Sequence, residues 1–224
     1  MKERLPQSMQ AAEYQCIREM VASLRPKRTL EVGMANGESS QIMCENAKAL
    51  GNVRHVSIDP FQNDPKDLAG FGLKRIREAG LSEQLEFYED FDYLVLPKLV
   101  SEKRTFDFIL IDGYHSFDYT LIDLFYADLL LDIGGVVMLH DTAWPSVNKA
   151  CRFLETHKPY ERVSPPLYIE TEGLIPKLSH RLKVAAGGVE RLKQEEERRT
   201  KWLSLSAYKK LENKIVPNTF FKDF

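Results

Sequence analysis

The sequence predicts an open, doubly wound α/β sheet, mostly parallel, with helices on both faces. Three observations carry that expectation. Short apolar runs alternate with segments of helical periodicity over most of the chain, the pattern of strand–helix–strand units with right-handed crossovers. Two runs, "FDFILIDG" (106–113) and "GGVVMLHD" (134–141), are nearly continuous in apolar residues, as expected of central parallel strands covered on both faces. Gly33, Asp59, Asp112 and Asp141 each stand at or just past the end of a run, and folds of this class bind at the carboxyl ends of their strands.

The chain opens with a helix, because Ile17, Met20, Val21 and Leu24 recur at i, i+3, i+4 and i+7 and Arg25-Pro26 ends the pattern. "RTLEVG" follows as a strand, "ESSQIMCENAKAL" as a helix, and "NVRHVSID" as a second strand closing on Asp59. "DLAGFGLKRIREAG" reads as a helix stopped by Gly80, then come a short strand "LEFYE" and a helix around "YLVLPKLVSEK". Between the two long apolar runs, "SFDYTLIDLFYADLLL" carries Phe117, Leu121, Leu124 and Phe125 at helical spacing, which leaves Asp118, Asp123 and Asp128 for a solvent side. Beyond about residue 160, "ERVSPPLYIETEGLIPKLSHRLKVAAGG" suits loops and a short strand, "VERLKQEEERRTKW" a charged helix with a solvated face, and "LSLSAYKKL" a late edge strand. The expected organisation is a single domain over residues 1–224: an N-terminal helix to residue 25, a core over 26–155 and a variable part over 156–224.

Composition narrows the class. With 43% hydrophobic and 29% charged residues, the 224-residue chain has the make-up of a folded globular protein and can bury a full core. No apolar run approaches the roughly 20 residues that cross a bilayer, and "MKERLPQSMQ" lacks the apolar segment of a signal peptide, so a cytoplasmic location is expected. Cys16, Cys44 and Cys151 are scattered and odd in number, which argues against a disulfide framework and offers no paired zinc spacing. A net charge of −2 gives no reason to expect nucleic acid. The expected partner is a small-molecule acceptor; no membrane is implied, and a homo-oligomer stays open.

The stretch "EVGMANGESS" (31–40) sets Gly33 and Gly37 four apart between a strand and a helix. A dinucleotide loop uses G-x-G-x-x-G to lay a pyrophosphate on the helix N-terminus. This loop has only G-x-x-x-G, and Glu38 in the first helical turn favours the helix dipole while repelling a phosphate. A zwitterionic or cationic ligand fits better. Asp59, 26 residues after Gly33, is placed to hold a ribose diol. A nucleoside without phosphates points to S-adenosylmethionine; Glu31 then turns negative charge towards the amino end of its methionine part, and loop amides meet its carboxylate. The alternative reading is a tight turn at Gly33 and Gly37, with Asp59 capping the next segment.

The passages "LEVGMANGESS", "SIDP" and "FDFILIDGYHSFDYTLIDLFYADLLLDIGGVVMLHDT" resemble class I S-adenosylmethionine-dependent methyltransferases, most closely methyltransferase domain family 24, which is related to catechol and macrolide-sugar O-methyltransferases. The resemblance covers roughly residues 12–155, with "IDGYHSFDY" followed by "GGVVMLHDT" as its specific part and a weaker echo in "LSAYKKL…FFKDF". It implies a Rossmann-like sheet of seven strands, S-adenosylmethionine as cofactor and O-methylation of a small molecule, plausibly a sugar or polyol-bearing metabolite. It also implies that Gly33, Gly37 and Ser39 line the cofactor, that Asp59 holds the ribose, that Glu89, Asp90 or Phe91 borders the adenine, and that Asp112 serves both the cofactor and the reaction end.

At that end, Asp112 and Asp141 close two strands that the fold makes neighbours, about 4.8 Å apart. Carboxylates so close repel unless a cation or a proton lies between them, and a hard ion such as Mg²⁺ takes oxygen ligands of this type. In the related catechol-type enzymes the matching positions bind such an ion, which grips the acceptor's oxygens. Their third ligand, an amide or acid beside the second aspartate, is replaced here by Thr142, preceded by His140. His140 either substitutes as a ligand or turns into the core, because neighbouring side chains of a strand face opposite ways. His115, three residues past Asp112 in the loop over the methyl site, is the predicted general base; its alternative is a cap on the next helix. Tyr114 and Trp144 offer apolar walls for an acceptor. Two other classes stay in view: an NAD(P)-linked oxidoreductase on a similar sheet, against which the missing third glycine counts, and a non-catalytic nucleoside-binding protein.

Overall fold

The computed structural model describes residues 9–51, 53–163, 167–169 and 202–224. Its helices are α1 (Ala11–Leu24), α2 (Glu38–Leu50), α3 (Phe71–Glu78), α4 (Asp92–Ser101), α5 (Phe117–Leu130) and α6 (Pro145–His157). Its strands are β1 (Thr29–Val32), β2 (His55–Ile58), β3 (Leu85–Tyr88), β4 (Phe106–Ile111), β5 (Leu131–His140), β6 (Tyr160–Arg162), β7 (Leu167–Ile169) and β8 (Trp202–Lys210). They form one sheet in the order β3-β2-β1-β4-β5-β8-β6, a path of seven, with β7 also paired to β8. The first five run parallel, while β8 is antiparallel to β5, β6 and β7.

Alternation along the central strands divides the core. Ile109, Ile111, Val137 and Leu139 face the layer of α4, α5 and α6, whereas Phe108, Leu110, Val136 and Met138 face the side of α1 and α2. Both faces are thus apolar, which is why these strands read as continuous runs. The strand order reverses between β1 and β4: from β1 the chain works outward through β2 to β3, then returns to β4 and continues to β5. Val32 lies level with Ile58 on one side and Ile111 on the other, so three strand tips end together at the switch point.

Several expectations need correcting or bounding. "LSLSAYKKL" is not an edge: β8 is paired on both sides, and the lysines that suggest a solvent-facing strand include Lys210, which is buried with Nζ donating to the carbonyls of Asp128 (2.5 Å) and Leu131 (3.0 Å). In α5 the sheet side is chosen by small residues, Thr120 and Ala127 with Asp123, Leu124 and Leu130, while Phe117 and Phe125 lie outside; the helix is apolar almost all round, so periodicity alone picks no face. Asp128 does not face solvent freely either, since it takes Lys158 Nζ (2.6 Å) and Tyr160 Oη (2.9 Å). The helix expected from residue 67 begins at Phe71, because Ala69 and Gly70 hold left-handed conformations. Helix α6 has no counterpart among the expected elements, although Val147, Ala150, Cys151 and Leu154 stand at i, i+3, i+4 and i+7. The charged helix expected over 189–202 lies outside the described residues, apart from Trp202 at the start of β8.

Candidate active site

A crevice of about 330 Å³ opens at the tips of β1, β2 and β4, lined by Val32, Gly33, Ala35, Ile58, Asp59, Pro60, Phe61, Phe91, Asp92, Asp112, Gly113, Tyr114 and Tyr119 among others. That volume falls within the roughly 300–1,000 Å³ of small-molecule sites.

Its first wall is the glycine loop. Gly33 has φ +90°, and a β-carbon there would stand 2.0 Å from the Asp112 carbonyl oxygen, so only glycine lets β1 turn out past the tip of β4. Gly37 (φ +77°) caps α2, and its missing β-carbon makes room for Gly72, whose Cα would lie 2.8 Å away. Asp59 fastens this loop to β2: Oδ2 accepts the N–H groups of Met34 (3.1 Å) and Ala35 (2.9 Å) and the Gln62 amide (3.3 Å), and Oδ1 accepts the Phe61 N–H (2.8 Å). Burial pushes its carboxyl pKa up against these four donors. Oδ1, with one protein donor, keeps a lone pair for a ligand hydroxyl. Of the two sequence readings of Asp59, the cap is what these bonds show, and Oδ1 leaves room for a ligand group.

Other expected cofactor residues stand elsewhere. Glu31 is fully buried beneath α2 and accepts bonds from Ser40 Oγ and Ser57 Oγ (2.9 Å), with His55 Nε2 at 3.5 Å. These bonds all use Oε2, while Oε1 has no hydrogen-bond partner among the described residues, and Glu31 is not part of the crevice lining. Ser39 is buried in the first turn of α2, and neither Ser39 nor Gly37 is among the lining residues. Glu38 pairs with Arg75 at 3.7 Å. Phe91 lines the crevice edge-on to Phe61, centroids 6.0 Å apart, whereas Asp90 is exposed, with Oδ1 taking the Phe91 N–H (2.8 Å), and Glu89 bonds Asn63.

The second wall gathers the residues expected to react. Asp112 Oδ1 lies 3.3 Å from His115 Nε2 and 2.7 Å from His140 Nδ1. Asp141 Oδ2 is 3.9 Å from His115 Nε2, and its Oδ1 is 3.7 Å from His140 Nε2. Alternation should have turned Asp141 away from His140, but Asp141 adopts φ +53°, a left-handed conformation that brings its side chain back beside the histidine. Thr142 cannot complete a ligand set, because its Oγ1 is buried against Ser206 Oγ (3.2 Å).

His140 faces the cluster instead of turning into the core, hydrogen-bonded at both ring nitrogens. Nε2 bonds Glu13 Oε1 (2.9 Å), and Glu13 is buried on α1, also accepting from Ser204 Oγ of β8 and from the Gln10 N–H. Burial works against a charged ring, yet Asp112, Glu13 and Asp141 together hold its proton up to a pKa of about 11. Burial likewise opposes ionisation of Asp112, and the two histidines outweigh it to lower its pKa. With both nitrogens bonded, His140 orients Asp112, and the two belong with His115 to a cluster whose spacing suits a metal ion. His115 differs: Nε2 is buried without a hydrogen-bond partner among the described residues, and its ring stacks on Trp144 (6.3 Å, 16°). Tyr114, largely exposed, meets Tyr119 edge-on at 5.4 Å.

Several of these residues carry no sequence signal. The next residue of α1, Tyr14, reaches the other wall, its Oη bonding Asn36 Oδ1 of the glycine loop (3.2 Å). One helical turn thus touches both halves of the site, and a contact between residues 13 and 140 has no local pattern. For Glu13 a partial sign existed in its place three residues after the Gln10 cap.

The site is a crevice at the switch point of an α/β sheet, set between a glycine loop and a cluster of histidines and aspartates. The comparisons give the family: the "Methyltransferase domain" model Methyltransf_24 matches residues 30–142, half of the chain, and the chain belongs to that family. A caffeoyl-CoA O-methyltransferase of Stellaria longipes is 25% identical over 132 residues, 56% of this chain and 50% of the relative. The chain spans about half the length of the curated relatives it matches. Among solved structures, the O-methyltransferase TomG from Streptomyces achromogenes in complex with S-adenosylmethionine superposes with TM-score 0.65 at 16% identity, covering 92% of this chain and 82% of that one. An O-methyltransferase from Bacillus cereus in complex with S-adenosylhomocysteine gives TM-score 0.66 at 17% identity, covering 92% and 84%. At such identities the structural likeness speaks for the fold.

Proposed function

We propose that the chain transfers a methyl group from S-adenosylmethionine to an oxygen of a small-molecule acceptor. The observation that carries this reading is the crevice itself, which runs from Gly33 and Asp59 to Asp112, beside which His115 and Asp141 stand. Asp59 Oδ1 holds the ribose, Gly33 gives the loop its turn, Phe91 borders the base, and Asp112 marks the methyl end. His115 Nε2 receives the acceptor's hydroxyl proton as that oxygen bonds to the methyl carbon and the carbon–sulfur bond breaks, its electrons staying on sulfur. The rate gain comes from alignment and proton removal. Relatives named for O-methylation support oxygen as the acceptor atom. Tyr114 and Trp144, flat and partly exposed near His115, suit a sugar or polyol-bearing acceptor. Among the described residues no helix is long and apolar enough to cross a membrane.

A divalent cation is compatible with the same residues. Ligating atoms of Asp112, His115 and His140 lie within 4.8 Å of one another, and the unpartnered His115 Nε2 faces Asp112 and Asp141. Asp112, His115 and His140 are the donors whose spacing fits an ion, which would take the place of the proton on His140; a bound ion would supply positive charge to an acceptor oxyanion. His115 then acts as ligand in place of base. Calorimetry with S-adenosylmethionine and S-adenosylhomocysteine tests the main reading, with micromolar binding expected; no heat from either, or a thermal shift with NAD or NADP alone, rejects it. Loss of acceptor methylation in EDTA, restored by a divalent ion, selects the ligand role of His115.

A further inference from the structure

Behind the reacting cluster stands a carboxylate from the far end of the chain. Glu13, on α1, is 3% exposed. Its Oε1 lies 2.9 Å from His140 Nε2 and accepts the Ser204 hydroxyl of β8, and its Oε2 accepts the Gln10 N–H at the cap of α1. Both oxygens are thus committed to protein groups, and Glu13 is not part of the crevice lining. It meets the reacting residues only through the imidazole of His140.

That contact decides which atom His140 offers. A ring whose Nε2–H donates to a carboxylate presents Nδ1 on its other side, and Nδ1 stands 2.7 Å from Asp112 Oδ1. The same oxygen is 3.3 Å from His115 Nε2. Donors that share an ion at about 2.0–2.2 Å stand roughly 3 Å apart, so one carboxylate oxygen and two imidazole nitrogens already have the spacing of a ligand set. A buried carboxylate on the remaining nitrogen of a ligating histidine fixes the ring and its tautomer and makes it a stronger donor.

The atoms of this set differ from those that the sequence resemblance implies. Mg²⁺ takes oxygen ligands and gives up its water reluctantly, whereas imidazole nitrogen suits first-row transition ions. We propose that Glu13, acting through His140, makes the cluster a nitrogen-bearing site that takes a divalent transition ion such as Mn²⁺, Fe²⁺ or Co²⁺ in preference to Mg²⁺. The inference rests on the divalent-cation reading above and deepens it. Asp112, His115 and His140 are the ligands. Glu13 touches no ion and is a positioning residue.

The test measures Co²⁺ and Mg²⁺ affinities of the full chain by calorimetry, titrates S-adenosylhomocysteine separately, and reads the ligands of bound Mn²⁺ by pulsed EPR. The wild-type protein is expected to bind Co²⁺ about 100-fold or more tighter than Mg²⁺ and to show nitrogen coupled directly to Mn²⁺. Glu13→Gln keeps the side chain's shape and an acceptor for His140 while removing the charge. It is expected to weaken Co²⁺ by about 10- to 100-fold and to leave S-adenosylhomocysteine affinity within about twofold. His140→Asn is expected to lose part of the nitrogen coupling and to narrow the preference for Co²⁺, and it carries the test should Glu13→Gln not fold. Mn²⁺ without nitrogen coupling, or Mg²⁺ bound as tightly as Co²⁺, overturns the inference. So does a folded Glu13→Gln protein with the wild-type affinity for Co²⁺. Binding of S-adenosylhomocysteine but of neither ion overturns it too, and leaves methyl transfer with His115 as base; only loss of S-adenosylhomocysteine binding in the wild type removes that reading.

Discussion

The two walls of the crevice handle their polar groups in opposite ways. On the glycine-loop side, Asp59 receives four donors from its own chain, three of them backbone amides, and the loop has its shape before any ligand arrives. On the other side, Asp112, His115, His140 and Asp141 face one another, and His115 Nε2 lies near Asp112 and Asp141 with no well-formed hydrogen bond among the described residues. The difference separates two tasks. Holding a cofactor needs fixed geometry, which backbone supplies; moving a proton needs a group whose lone pair is unspent.

Substitutions can break that contrast. The largest effect is expected from Gly33→Ala, where the added carbon would overlap the Asp112 carbonyl; a loss of about 3 kcal/mol or more in urea unfolding is expected. A protein with unchanged stability would show that the loop is not locked as described. Next comes His115→Ala, expected to lower methyl transfer by about 10²- to 10⁴-fold while calorimetry finds cofactor affinity nearly intact. Parallel losses in both would make His115 part of the cofactor wall. Asp59→Ala strands several amides and should reduce stability by about 1–3 kcal/mol, together with cofactor affinity. The opposite balance, full stability with lost binding, would make Asp59 a ligand group alone.

A smaller effect follows from Asp123. Its carboxyl binds a proton in the fold at pH values where the unfolded chain, titrating near about 3.9, has released it. The folded state thus holds more protons than the unfolded one between the unfolded and the raised folded pKa. Stability should fall as pH rises through that window and then level off. Asp123→Asn should remove that part of the slope in unfolding curves taken across pH. Asp90→Ala is expected to do least, below about 0.5 kcal/mol in stability and about twofold in cofactor affinity, since its side chain is exposed and bonds only the next amide.

What could be read from the sequence follows the same division. Strands β4 and β5 are plain because both their faces are buried, and the positions of Gly33, Asp59, Asp112 and Asp141 follow once four strand ends are known. Asp112, His115 and Asp141 come together as expected. Glu31, two positions before a strand tip, lies under the neighbouring helix against Ser40 and Ser57, a placement its position in the strand does not reveal. Asp123 is missed because an aspartate in an apolar helix reads as the solvent side, and its burial depends on Asp92 from another helix. The turn at Asp141 and the reach of Glu13 to His140 depend on backbone sign and on contacts across the chain, neither of which leaves a local trace.

The position of β8 bears on how the protein is made. Until residues 202–210 have left the ribosome, the outer side of β5 has no antiparallel neighbour and presents a row of unsatisfied amides and carbonyls. The same segment brings Ser204 to Glu13, across 191 positions of chain, so the anchor behind His140 is also among the last to form. A nascent chain of this sequence is expected to be prone to self-association until β8 docks on β5.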